Sequence, residues 1–138
     1  MSLRYEPPPQ MPISDKEKTD WIRRKWIFGF YKKIDVQEAW IAPTHLNSWA
    51  NFDGGYNEAG YMKDSLGFVH LRGSIKSGTP PSVAFTLPSG YRPVGICWYP
   101  LARTGGTGKL QIQVDGDGYI ESGSGKQTSL DGITFKAA

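Results

Sequence analysis

Short apolar runs separated by turn residues make up most of the chain beyond residue 40. Residues 68–76 alternate between two faces, which is typical of a half-buried strand. The alternation assigns Val69, Leu71 and Ile75 to the inner face and Phe68, His70, Arg72 and Ser74 to the outer face. Only the inner face of such a strand packs on the core. The polar side chains of the outer face are therefore available for a function.

Two later segments extend this pattern in different ways. Residues 110–114 alternate cleanly, with Leu110, Ile112 and Val114 predicted inward and glutamines outward. Residues 96–101 carry apolar side chains on both faces, and strands of that kind are usually covered twice. We expect the opposing sheet on one side and a neighbouring subunit on the other. Cys97, between Ile96 and Trp98, is predicted to be buried and unreactive.

Glycine is distributed unevenly and indicates where the main domain begins. Only Gly29 of the 17 glycines precedes residue 50. Gly-rich turns between about eight or nine short strands, without alternating long helices, are typical of antiparallel all-β domains. The sequence therefore predicts an all-β fold, an antiparallel β-sandwich of jelly-roll type, in a main domain over residues 40–138.

Residues 1–39 form a region of different composition. Four prolines between residues 7 and 12 favour an extended arm. Ser14 and Glu17 have the spacing of a capping box, which predicts a helix over about 15–27. The large apolar residues of this helix require a partner surface. That surface is either the main domain of the same chain or neighbouring copies in a neck between subunits.

The charge distribution argues against binding of nucleic acid. The chain has 16 Lys and Arg and 13 Asp and Glu, a net charge of +3. Residues 1–36 hold eight of the basic and five of the acidic residues, so the remaining eight and eight cancel. A neutral body provides no field to hold phosphates. Membrane insertion is not expected either, because no apolar stretch approaches the roughly 20 residues of a spanning helix.

The motifs of catalytic and metal sites are incomplete. Residues 104–109 resemble a phosphate loop, but a leucine and a strand pattern follow the lysine. Asp115 and Asp117 are spaced like the start of a calcium loop without its later ligands, and Asp-Gly is a common hairpin turn. His45 and His70 accompany no nucleophile motif, and the single cysteine excludes a disulfide framework. We therefore predict that the protein is not an enzyme and uses no cofactor or metal.

Aromatic residues make up 13% of the chain and provide candidate ligand contacts. A sugar ring has an apolar face and a polar rim, so saccharide sites combine flat aromatic rings with hydrogen-bonding groups. Five residues are the candidates for contacts to a ligand or to another subunit: His70, Arg72, Tyr91, Trp98 and Tyr56.

Residues 40–138 resemble the C-terminal head domain of receptor-binding, tail-fibre and baseplate proteins of tailed bacteriophages. The resemblance rests on the order and spacing of several blocks over about 100 residues. These blocks are 40–43 (WIAP), 46–49 (LNSW) with Asn51, 54–56 (GGY), 61–64 (YMKD), 67–73 (GFVHLRG), 85–93 (FTLPSGYRP) and 129–135 (SLDGITF). Residues 1–39 do not carry the resemblance.

The resemblance implies a virion protein of the tail or baseplate, made in the host cytoplasm. Its β-sandwich head would be a homotrimer that binds host cell-wall polysaccharide or teichoic acid without catalysis. Residues 1–39 would correspond to the neck, which contacts other tail proteins of the virion. The matching blocks contain no saccharide-binding motif, so the resemblance assigns no sugar contacts.

Three other functions remain open from the residues alone. A purely structural tail or baseplate component would be trimeric but would not bind cell walls. A polysaccharide depolymerase would need two carboxylates facing a groove and would release reducing ends. A carbohydrate-binding module of a cellular enzyme would be a monomer.

Overall fold

The structure, a computed structural model, describes residues 37–138, and this part of the chain is entirely β with turns. Its ten strands are β1 (Ala50–Asn51), β2 (Gly60–Lys63), β3 (Phe68–Arg72), β4 (Ser74–Lys76), β5 (Ser82–Thr86), β6 (Cys97–Arg103), β7 (Gly106–Ile112), β8 (Asp117–Ser122), β9 (Thr128–Ser129) and β10 (Thr134–Lys136). The helix predicted over residues 15–27 lies outside the described residues. The division at residue 39 therefore stays a prediction.

The ten strands form two antiparallel sheets. One sheet has seven strands in the order β1-β4-β9-β6-β7-β8-β5, and the other has three in the order β10-β3-β2. The longest pairing joins β6 to β7, from Cys97 opposite Ile112 to Arg103 opposite Gly106. A two-residue turn at Thr104 and Gly105 closes this hairpin.

A single apolar cluster lies between the sheets and receives side chains from both. Its largest apolar members that are less than 2% exposed are Phe85, Ile75, Leu87, Leu101, Leu110, Ile112, Ile120 and Leu130. The hydroxyl of Tyr99 on β6 also donates a hydrogen bond to the carbonyl of Thr134 on β10, at 2.9 Å. Burial raises the pKa of this phenol to about 12. These contacts confirm the predicted all-β sandwich.

The segment 68–76, predicted as one strand, is divided at Gly73 between the two sheets. β3 pairs with β2 and β10, whereas β4 pairs with β1 and β9. Gly73 has a φ of 104°, a conformation that interrupts regular strand alternation. Ser74, predicted on the outer face, is opposite Ser129 on β9 and yet only 2% exposed, and its hydroxyl accepts a hydrogen bond from the Gln127 amide.

Two further side chains differ from the sequence pattern. Val114 was predicted inward but is 52% exposed, because β7 ends at Ile112 and a turn follows. In that turn the N–H of Gly116 donates to the carbonyl of Gln113. Cys97 is half-buried rather than buried, and its thiol donates to the carbonyl of Gly95.

Within residues 37–138, no helix has the length and apolarity that crossing a membrane requires.

Candidate functional site

His70 lies on the outer face of β3 and is held by two neighbours. Its Nε2 donates to the Asp64 Oδ2 at 2.8 Å, and its Nδ1 lies 3.0 Å from the Thr134 hydroxyl. The other oxygen of Asp64 accepts hydrogen bonds from the backbone N–H groups of Leu66 and Phe68. Asp64 and His70 thus stabilise the turn between β2 and β3, and His70 links this turn to Thr134 on β10.

The hydrogen bond from His70 lowers the pKa of Asp64 below its ordinary value of 3.8, and the backbone donors, led by Phe68, add to this effect. A depressed folded pKa contributes stability that is complete above the unfolded pKa and is lost as pH falls through the folded one. The contribution therefore disappears only in acid.

We expect Asp64→Asn to lower the thermal unfolding midpoint at neutral pH and to have less effect in strong acid. The reason is that wild-type Asp64 loses its charge, and with it this stabilisation, as pH falls through its lowered pKa. Midpoints of the two proteins measured from about pH 7 to about pH 1 should converge. A difference in midpoint that stays constant over this range would contradict the role of the carboxylate charge.

Arg72, also on the outer face of β3, stacks against an aromatic ring of its own chain. Its guanidinium carbon lies 4.5 Å from the centre of the Trp40 ring. Gly60 lies opposite Arg72 on β2, and the Trp40 ring packs close to it. A cation over an indole face is a stabilising arrangement, and here it anchors the segment that precedes β1.

Tyr91 is half-buried beside the three-stranded sheet, where it makes several contacts. Its hydroxyl donates to a Glu38 carboxylate oxygen at 2.9 Å. Its ring packs edge-on with the ring of Tyr61, with 5.1 Å between the ring centres. The Lys63 Nζ lies 5.1 Å from the ring centre. Burial and then the hydrogen bond to Glu38 raise the pKa of the Tyr91 phenol. The hydroxyl is therefore already engaged within the chain.

Tyr56 is 53% exposed in the turn that follows β1. Its ring packs edge-on against Phe52 at 5.4 Å between centres. The ring is presented by a turn with positive φ at Asp53, Gly54 and Gly55, rather than by a regular strand.

Trp98 is the most exposed aromatic side chain of residues 37–138, at 60%. It lies on the outer face of β6, directly opposite Gln111 on β7. The Lys109 Nζ lies 5.4 Å from the ring centre. The predicted two-sided strand therefore has one side on the core and one side open in the single chain.

Polar side chains beside Trp98 form a connected row. The Lys109 Nζ lies 3.4 Å from a Glu121 carboxylate oxygen, and the Gln111 amide donates to the other at 3.4 Å. The Gln113 amide donates in turn to the Gln111 oxygen at 3.5 Å. We call Trp98, Lys109, Gln111, Gln113 and Glu121 the Trp98 face.

The sequence candidates do not converge on one place. His70 and Arg72 belong to β3 of the three-stranded sheet, whereas Trp98 belongs to β6 of the seven-stranded sheet. The polar members of the Trp98 face were not among the candidates. The alternation in residues 110–114 already pointed the glutamines outward, but only the strand register places Gln111 opposite Trp98.

Other features of residues 37–138 offer less for chemistry. A shallow depression of about 230 Å³ is lined by Ala102, Arg103, Thr104, Gln127 and Ser129. It is smaller than the roughly 300–1,000 Å³ of most ligand pockets. The Arg103 guanidinium donates to the carbonyls of Thr107 and Thr104, so it is committed to the hairpin turn. In this described part, no group of three or more His, Cys, Asp and Glu could hold a metal ion.

The fold is similar to that of a bacteriophage protein. The crystal structure of the receptor binding protein (gp15) of Listeria phage PSA matches with a TM-score of 0.68 and 21% sequence identity. The match covers 89% of this chain and 77% of that chain. Neither a protein-family model nor a curated protein matches the sequence. At this level of identity the likeness establishes the fold, in agreement with the resemblance drawn from the sequence blocks.

Proposed function

We propose that this protein is a virion component of a phage tail or baseplate, and that its head binds polysaccharide on the host cell surface without catalysis. The observation that carries the proposal is the shared fold, with a TM-score of 0.68 to a phage receptor binding protein. The sequence blocks in residues 40–138 support the same class of protein independently of the coordinates.

The surface chemistry of the head supports a saccharide as the receptor. An exposed indole offers a flat apolar surface, and the neighbouring amides and carboxylate offer hydrogen-bond partners for hydroxyl groups. Acid–base hydrolysis of a glycan requires two carboxylates at a defined separation across a groove. The Trp98 face contributes one carboxylate, that of Glu121, which is paired with Lys109. This arrangement favours binding over hydrolysis.

We also propose that the head is a homotrimer. Exposed aliphatic side chains, Val94, Ile96 and Val114, lie beyond the end of the β6–β7 hairpin where β6 begins and β7 ends. Their burial between copies would remove apolar surface from water. Three linked heads would also raise the apparent affinity of a weak saccharide site through multivalency. Residues 1–39 are proposed to contact other tail proteins of the virion.

The proposal is tested with fluorescently labelled full-length protein on a panel of bacterial strains. We expect binding to some strains and not to others, without release of reducing ends from their cell walls. Light scattering of the same sample should give three chain masses. Trimers that bind no strain would favour a purely structural component. Release of reducing ends would indicate a depolymerase, and a monomer that binds glycan would indicate a carbohydrate-binding module.

A further inference from the structure

The Trp98 face is built on three neighbouring strands, β6, β7 and β8, with a register shift between Lys109 and Leu110 and with Gln113 just beyond the end of β7. Trp98, Gln111 and Tyr119 lie directly opposite one another in successive strands, β6, β7 and β8. Adjacent strands are about 4.8 Å apart, so the two aromatic residues are separated by roughly 10 Å with an amide between them. The backbone of these strands is already ordered in the sheet, so binding has to order side chains only.

The hydrogen bonds among the polar residues order the rim of this face. Gln113 donates to Gln111, Gln111 donates to Glu121, and Glu121 also pairs with Lys109. Each of these groups keeps further donor or acceptor capacity, because a carboxylate has about four lone-pair sites and an amide has two donors and an acceptor. Such a row presents alternating donors and acceptors beside a flat ring, and this is what the hydroxyl groups of a sugar require.

The charge of the face indicates which saccharides it fits. Its one cation, Lys109, is balanced by Glu121 at 3.4 Å. A phosphate or carboxylate on the ligand would therefore meet a neutral surface with a carboxylate close by. A neutral sugar ring would instead use the indole for its apolar face and the Gln–Glu–Lys row for its hydroxyls.

We infer that the Trp98 face is a binding site for neutral sugar rings, with Trp98 as the stacking platform and Gln111 and Glu121 as the main hydroxyl partners. The inference rests on the proposed function and deepens it by assigning the site and its ligand class. A second copy of the chain is the competing occupant. It would have to cover Lys109, Gln111, Gln113 and Glu121, and burying these polar groups without new partners is unfavourable. Val94, Ile96 and Val114, the exposed aliphatic residues beyond the hairpin end, form a more favourable contact surface for a second copy than the Trp98 face does.

The first test is a titration of the full-length protein followed by ¹H–¹⁵N NMR. The Trp98 indole signal is identified as the one missing from the spectrum of Trp98→Phe. We expect glucose, galactose or N-acetylglucosamine to shift this signal saturably, whereas glycerol 1-phosphate leaves it unchanged. The buried Trp49 indole, which donates to Ser82, is the internal control and should not move. The inference is overturned if only glycerol 1-phosphate shifts the Trp98 signal. It is also overturned if none of these compounds shifts it.

The second test compares three variants on the bacterial strains that the wild-type protein binds. We expect Trp98→Ala to weaken binding by about tenfold or more, because the stacking surface is lost. Trp98→Phe, which keeps a flat ring, should recover part of the affinity. Phe68→Ala is the matched control, since it removes another exposed aromatic ring from β3 of the other sheet. Folding of each variant is checked by its thermal unfolding midpoint, which should change little because both rings are exposed.

The outcomes separate this inference from the proposed function. If Trp98→Ala binds the strains as well as the wild-type protein does, the site is elsewhere, although receptor binding itself stands. If Trp98→Ala lowers the mass measured by light scattering, the face contacts another copy and the inference fails. If the wild-type protein binds no strain but neutral sugars still shift the Trp98 signal, the sugar site stands and the receptor function falls.

Discussion

Gly73→Ala is expected to destabilise the protein by on the order of 3 kcal/mol or more, which is a large part of the stability of a domain this size. Gly73 has a φ of 104°, and a methyl group there would overlap the Glu58 carbonyl oxygen and the backbone of Ala59. The glycine cannot shift easily. Its N–H donates to Asp131 at 2.8 Å, and its carbonyl accepts from Leu130 at 2.7 Å.

The measurement is chemical denaturation of wild type, Gly73→Ala and the matched control Gly132→Ala. Gly132 has a φ of 85° but open space where a methyl group would be placed. Its substitution should therefore carry only the backbone strain, about 1 to 2 kcal/mol. Equal losses in the two variants would show that the close approach at Gly73 relaxes at no cost.

Phe85→Ala is expected to lower the free energy of unfolding by about 3 to 5 kcal/mol. Phe85 is 1% exposed in the core cluster, and its ring occupies the space above Gly118, which lies opposite it on β8. Truncation leaves a cavity that glycine cannot fill. Phe68→Ala is the control, because this phenylalanine is 39% exposed and its loss should cost much less. Chemical denaturation of wild type and both variants gives their free energies of unfolding, and the two losses are compared.

The contact between Phe85 and Gly118 also predicts strong coupling. A methyl group at Gly118 would overlap the Phe85 ring, so Gly118→Ala alone should be destabilising. In the Phe85→Ala background the same methyl group enters an empty space and should cost little. We expect a coupling energy of roughly 1 to 3 kcal/mol in the double-mutant cycle. Additive losses would mean that the ring and the glycine do not depend on each other.

Strand positions were predictable where alternation is local. Leu110 and Ile112 are buried as the pattern predicts, and the turn at Thr104 and Gly105 joins two strands. The pattern failed at Gly73 and Val114, where a corner and a turn end the alternation without a change in hydrophobicity. A backbone with positive φ at a glycine leaves little trace in an apolar–polar pattern, because glycine adopts positive and negative φ about equally readily and has no side chain to assign to a face.

The candidate site was only partly predictable for a related reason. Exposed aromatic residues such as Trp98 can be proposed from composition, and the outward direction of Gln111 follows from its neighbours. The partners of each candidate depend on contacts between distant segments. His70 is paired to Asp64 and Thr134, and Arg72 is stacked on Trp40, so these two side chains already serve the chain's own fold.

The amino-acid sequence by itself determined the class of structure, because side-chain alternation and turn residues act over a few neighbouring positions. It determined that the main domain is built of short antiparallel strands with an apolar inner face. The tertiary structure alone decided which strands are neighbours, since pairing depends on the packing of the whole core. That pairing places Gln111 between Trp98 and Tyr119 and brings Glu121 to Lys109. The Trp98 face therefore depends on the register in which β6, β7 and β8 pair.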